Sequence, residues 1–157
     1  MGRGHLIRAC IAAAVVAAAL AAGAAAGLQW HEVAAGNTQQ SAARIAKAYL
    51  ALTKTQERVW THRLSAPDRT TVARISLAKT VLVAAFLDGA PCSTNVAATG
   101  VTRQGRTLSV TITYKLPPPG VALCIRSSTP YVIVGVARAS LGRVLPNKVS
   151  LVLHARS

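Results

Sequence analysis

Acidic residues are few in this chain. Only Glu32, Glu57, Asp68 and Asp88 stand against eighteen Lys and Arg in 157 residues, giving a formal net charge of +14 at pH 7. None of the four recurs at a spacing that aims two carboxylates at one substrate, so paired-carboxylate acid–base chemistry is not expected. Asp88 precedes Gly89 and Asp68 follows Pro67, both ordinary turn positions. Aromatics make up only 4%, so small aliphatics, alanine above all, must fill any core. His31, His62 and His154 are isolated, with no Cys-x-x-Cys or His-x-x-x-His beside them, and no metal or cofactor is expected. Gly-x-Ser-x-Gly, Gly-x-Gly-x-x-Gly and Gly-x-x-x-x-Gly-Lys are all absent. Those absences remove the nucleophile elbow and the phosphate-cradling loops. The chain reads as non-enzymatic, with no catalytic residues and no small-molecule substrate.

The cationic excess favours contact with polyanions, whether nucleic acid, anionic lipid headgroups or acidic envelope polymers. The Lys and Arg are spread along the chain, and no aromatic-plus-glycine RNA-binding signature interleaves them. Nucleic acid is therefore not the expected partner. An anionic membrane or envelope surface stays open, as does the simpler reading of a solvated basic exterior.

The N-terminus is the most specific feature. Arg3 and Arg8 precede residues 9–28, which carry no charge and repeat Ala-x-Ala. A positive start, an apolar stretch and small-residue cleavage sites define an export signal, here with cleavage near Ala24–Ala26. An uncleaved anchor is the alternative, since twenty uncharged residues just span a hydrocarbon core of about 30 Å. Either way residues 29–157 lie outside the cytoplasm. Cys10 follows Arg8-Ala9 too early in the apolar stretch for a lipoprotein cysteine.

Loss of the signal leaves Cys92 and Cys124, an even pair in an oxidising compartment, and a disulfide is the default reading. It encloses 124 − 92 = 32 residue steps. For such a loop the chain-entropy model gives roughly 3–4 kcal/mol. A nucleophilic Cys124 would need a thiolate. Arg126 supplies some field, but the apolar flanks of VALCI (residues 121–125) would raise the thiol's pKa.

Along the chain, residues 1–28 are signal or anchor helix, 29–36 a linker, and 37–157 a single α+β domain. Asn37 or Thr38 caps an expected helix with Ala42, Ile45, Ala46, Tyr49 and Leu52 on one side. The TKTQ at 53–56 fits a capping box for a second short helix through Trp60 to about Leu64, stopped by SAPD at 65–68. From there the period becomes strand-like. TVLVAAFL (80–87) reads as a strand buried on both faces. Residues 96–102 and 107–116 flank RQGR as a hairpin. In its second arm Leu108, Val110, Ile112 and Tyr114 alternate with Thr and Ser. Residues 117–120 (PPPG) cannot continue a ladder, because proline has no N–H to donate. Residues 131–136 and the alternating Val149, Leu151 and Leu153 complete about five strands in a mostly antiparallel sheet.

Taken in order, these stretches resemble the protease-complex-subunit (PrcB) C-terminal-domain family. The resemblance runs over about residues 60–153. It rests on Trp60, ISLAKTVLVAAFLDGAP (75–91), RQGRTLSVTI (103–112), Pro119-Gly120, Cys124 and TPYVIV (129–134). Ser76-Leu77 stands in place of the family's Asp-Phe pair, and CSTNV (92–96) in place of its Gly-Gly-Tyr turn. The resemblance implies an exported accessory domain that binds or stabilises a protein partner, such as a secreted protease complex, and carries no catalytic residues over. Loops on a rigid sheet commonly carry binding. The expected contact loops are therefore Ala90, Pro91, Ser93, Thr94 and Asn95 with Pro117, Pro118, Pro119 and Gly120.

Overall fold

The apolar run after Thr80 organises the molecule. A computed structural model describes residues 27–38, 46–87, 95–115 and 129–156. In chain order these form β1 (Trp30–Asn37), β2 (Lys47–Ala51), α1 (Lys54–Thr61), α2 (Ala66–Ala73), β3 (Thr80–Phe86), β4 (Ala97–Gln104), β5 (Thr107–Lys115), β6 (Pro130–Ala137), a 3-10 turn (Arg138–Leu141) and β7 (Lys148–Arg156). Strands divide between a four-stranded sheet, β1-β6-β3-β2, and a three-stranded sheet, β4-β5-β7. Pairing is antiparallel except between β5 and β7. The class is α+β, in three layers: helices, four-stranded sheet, three-stranded sheet.

Two cores explain why β3 lacks polar alternation. Val81, Val83, Ala85 and Leu87 face the second sheet with Val132, Val134 and Val136, meeting Val101, Leu108, Val110 and Ile112. Leu82, Ala84 and Phe86 point the other way, with Tyr131 and Ile133, onto Trp60, Leu64 and Val72 of the helical layer. Each fully buried Val, Leu or Phe contributes about 1.5–3 kcal/mol. The three-stranded sheet is apolar on one face only, which is why β5 alternates so cleanly. In the β4–β5 turn Gly105 has φ +58 and Arg106 does not have positive φ, the pattern of a two-residue turn with glycine first.

Local chemistry sets the helices. The Thr53 side chain accepts from the Gln56 N–H at 3.3 Å, and Gln56 Oε1 accepts from the Leu52 N–H at 2.8 Å, one residue before the position the capping box names. SAPD does end α1, but it also starts α2: Ser65 caps Asp68 N–H, with Pro67 in the first turn.

Several expectations need correction. Residues 29–36 are not a linker: they run almost wholly within β1, an edge strand held by β6. Its composition is poor for a strand, and the ladder to β6 supplies what propensity does not. Gly36 is required there, because a Cβ would lie 2.7 Å from the Tyr131 hydroxyl. The helix expected from Asn37 or Thr38 to Leu52 is replaced, over its described part, by β2; residues 39–45 lie outside the described residues. Ala46, Leu50 and Leu52 pack on one core and Tyr49 and Ala51 on the other, so apolar residues on both strand faces mimic helical spacing. Strands number seven among the described residues, in two sheets rather than one. The domain also begins earlier than residue 37: Leu28 packs against the inter-sheet core, and Gln29 C=O accepts from Ala137 N–H at 2.8 Å. The expected signal or anchor lies outside the described residues from 1 to 26. Among the described residues no helix is long and apolar enough to cross a membrane.

The ladders bring the ends of several connections together. Phe86 pairs with Tyr131 and Lys47, Asn37 with Pro130, Ala97 with Thr113, and Lys115 with Arg156. Within each sheet, the strand ends that flank the internal undescribed stretches are therefore neighbours.

Candidate binding surfaces

Every described acid has a hydrogen-bond or ion-pair partner within the protein. Glu57, 5% exposed, holds Lys54 at 2.7 Å, and that Lys54 also donates to Ala73 C=O at 3.3 Å, tying α1 to the end of α2. Glu32 reaches from β1 to accept the Ala98 N–H at 2.9 Å, where the β4 ladder shifts register, so it joins the edges of the two sheets. Asp68 accepts from the Ser65 hydroxyl at 2.8 Å and from the Tyr131 hydroxyl, while Tyr131 itself accepts the Ser65 N–H at 3.2 Å. Burial, and then the bond to Asp68, raise the Tyr131 pKa above its ordinary 10.0. This cluster fastens the α1–α2 corner to β6.

Some cations are structural as well. Arg103 donates to the carbonyls of Gly105 (2.7 Å), Val144 (2.6 Å) and Leu141, clamping the hairpin to the segment before β7. Arg138 donates to Leu52 C=O at 2.7 Å. Arg63 lies over the Phe86 ring at 4.2 Å, with one guanidinium nitrogen buried and unpartnered among the described residues. The remainder are exposed and carry no ion pair among the described residues, where Lys54–Glu57 is the one such pair. On β2 this is Lys47; on the helical layer, Arg58, Arg69 (which donates to Leu64 C=O at 3.2 Å), Arg74 and Lys79; on and beside the three-stranded sheet, Arg106, Lys115, Arg143, Lys148 and Arg156.

Two clefts border the strand ends that flank undescribed stretches, one at each sheet. One, about 450 Å³, is lined by Asn37, His62, Arg63, Ser65 and Arg69. It holds Ser, His and, alongside, Asp, but not a triad: the Ser65 hydroxyl donates straight to Asp68 and caps α2, and no hydrogen bond joins it to His62. The other, about 400 Å³, is lined by Asn95, Thr113, Tyr114, Lys115 and Arg156. Of the expected contact residues only Asn95 is described; it sits in this cleft with φ 68, a left-handed conformation that asparagine tolerates. Ala90, Pro91, Ser93, Thr94, Pro117, Pro118, Pro119 and Gly120 lie outside the described residues, as do Cys92 and Cys124. The flanks of the two loops are neighbours within each sheet: Phe86 pairs with Tyr131 in one, and Ala97 with Thr113 in the other. His31 lies against Gly135 instead of near another histidine, and no cluster of three or more His, Cys, Asp or Glu forms among the described residues.

The feature missed by reading net charge alone is segregation. No acid follows Asp88 in the sequence, so β4, β5, β6 and β7 are acid-free, and the sheet β4-β5-β7 is cationic throughout. That signal is legible as the position of the last acid. No protein-family model, curated protein or solved structure matches the chain.

Proposed function

We propose that the protein is an exported, non-catalytic binding module that holds anionic polymer at the cell envelope through its cationic surface. The observation that carries this reading is the fate of charge: each described acid is engaged by a partner within the protein, and of the exposed cations only Lys54 has an ion pair among the described residues. A field of one sign over a whole surface raises the local concentration of polyanion and speeds its capture. Export is supported by the charged start and uncharged stretch of residues 1–28. The test is retention on envelope preparations before and after chemical removal of their anionic polymers. Retention that disappears with those polymers supports the reading; equal retention on both contradicts it.

A second reading is favoured by the neighbouring strand ends that flank the two loops. The resemblance to the protease-complex-subunit family assigns the loops at 90–95 and 117–120 to a protein partner. The described ends that carry those loops are neighbours within each sheet, and Asn95 lines a cleft beside Thr113 and Lys115. A disulfide between Cys92 and Cys124 would join the same two connections. Cross-linking in intact cells that captures a single envelope protein through this end would favour the accessory role.

A further inference from the structure

The open face of the three-stranded sheet combines hydroxyls with cations. Cross-strand partners share a face, so the ladders fix which side chains stand together. Leu108, Val110 and Ile112 point into the core, which turns their neighbours Thr107, Ser109, Thr111 and Thr113 outward. Across β7 the outward rungs are Thr107–Lys148, Ser109–Ser150, Thr111–Val152, Thr113–His154 and Lys115–Arg156. On the β4 side, Gln104 and Thr102 extend the first two rungs. Ser109 and Ser150 hydroxyls already bond across the strands at 2.7 Å. Hydroxyls therefore fill the middle, with Lys148 at one end and Lys115 and Arg156 at the other. No acid and no aromatic interrupts the rungs.

We infer that this face is the docking surface for an extended acidic polysaccharide lying along the strands. The inference rests on the proposed polyanion-binding role and names its site and ligand class. Dimensions fit one chain: eight residue steps along β5 span about 26 Å, and three strands about 10 Å in width. Chemistry fits as well. Cations at both ends take carboxylates, and Thr and Ser hydroxyls both donate and accept towards sugar hydroxyls. A bilayer is a poorer match, because interfacial binding needs buried apolar area and Val152, 41% exposed, is the one large apolar side chain on these rungs.

The probe is polygalacturonate, with neutral dextran and anionic vesicles as the other arms, read as affinity at low salt. Two charge-matched triple variants are compared: Lys115→Ser, Lys148→Ser, Arg156→Ser on the face, and Arg58→Ser, Arg74→Ser, Lys79→Ser on the helical layer. At about 1 kcal/mol per cation near an anionic surface, the face triple loses roughly a hundredfold. The helical triple loses less than about threefold on this account. A third variant, Thr111→Val with Thr113→Val, keeps the charge and the β-branched shape; it weakens binding only if the hydroxyls touch the ligand. Circular dichroism and melting of each variant confirm the fold. Wild-type protein that ignores polygalacturonate sinks the proposed function itself. Wild-type binding with equal losses in both triples overturns the face assignment alone, and unchanged affinity in the Thr-to-Val pair overturns the hydroxyl contact. Vesicle binding tighter than polysaccharide binding overturns the ligand class.

Discussion

Tyr131→Phe removes one oxygen from a site where two elements meet. The ring is 0% exposed, and its hydroxyl serves both the Ser65 N–H and the Asp68 carboxylate. Asp68 keeps the Ser65 hydroxyl at 2.8 Å, but the Ser65 N–H loses this acceptor. An orphaned, partly buried donor costs about 1–3 kcal/mol, and the lost bond to a charged group adds to it, so about 2–3 kcal/mol is expected. The chain from Leu28 to Ser157 counts 157 − 28 + 1 = 130 residues. With about 2.1 cal/mol/K per residue the unfolding entropy is roughly 270 cal/mol/K, and the melting temperature falls by roughly 7–11 °C. Thermal and urea unfolding followed by circular dichroism measures this, with the urea m-value unchanged. A shift below about 2 °C would refute the clamp. An alkaline arm tests the same bond. The folded Tyr131 pKa lies above 10.0, so its contribution is fully present below pH 10. Above that the unfolded tyrosine ionises while the folded one stays neutral, and stability falls by up to about 1.4 kcal/mol per pH unit until the folded pKa is passed. The gap between wild type and Tyr131→Phe therefore narrows above pH 10; a gap that stays constant contradicts the assignment.

Other expectations follow from the same contacts. Gly36→Ala puts a Cβ at 2.7 Å from the Tyr131 hydroxyl and 3.2 Å from the Asp68 carboxylate; it costs about 1–3 kcal/mol of stability in urea unfolding, and the cost shrinks in the Tyr131→Phe background. Arg103→Lys fails to restore what Arg103→Ala loses, because three carbonyls are met by a planar fork that an ammonium cannot copy; equal melting of Lys and wild type contradicts this. Replacing Cys92 and Cys124 together by Ser lowers stability by roughly 3–4 kcal/mol, and non-reduced intact mass of the mature protein shows the loss of two hydrogens. Insensitivity of its melting to reductant contradicts the bridge.

What the sequence discloses depends on where its physics is local. The β3 run, the β5 alternation, the Gly105 turn and the Thr53 cap are legible because pattern and partner lie within a few residues. β1 and β2 are not, because each is an edge strand whose pairing partner lies far away in sequence, β6 for β1 and β3 for β2. The division into two sheets hides for the same reason: the parallel β5–β7 ladder joins residues forty-one apart. Net charge was legible from composition. Its segregation is legible as the position of the last acid, whereas the partner each acid takes, such as Ala98 for Glu32 sixty-six residues away, is encoded by no local pattern.

The central claim is that exposed, uncompensated cations hold an anionic polymer. Its most direct test is the affinity of the mature protein for polygalacturonate measured across ionic strength. The account predicts a logarithm of affinity that falls steeply and linearly with the logarithm of salt, as counterions are released from the polymer. An affinity that is flat between low and high salt would contradict it.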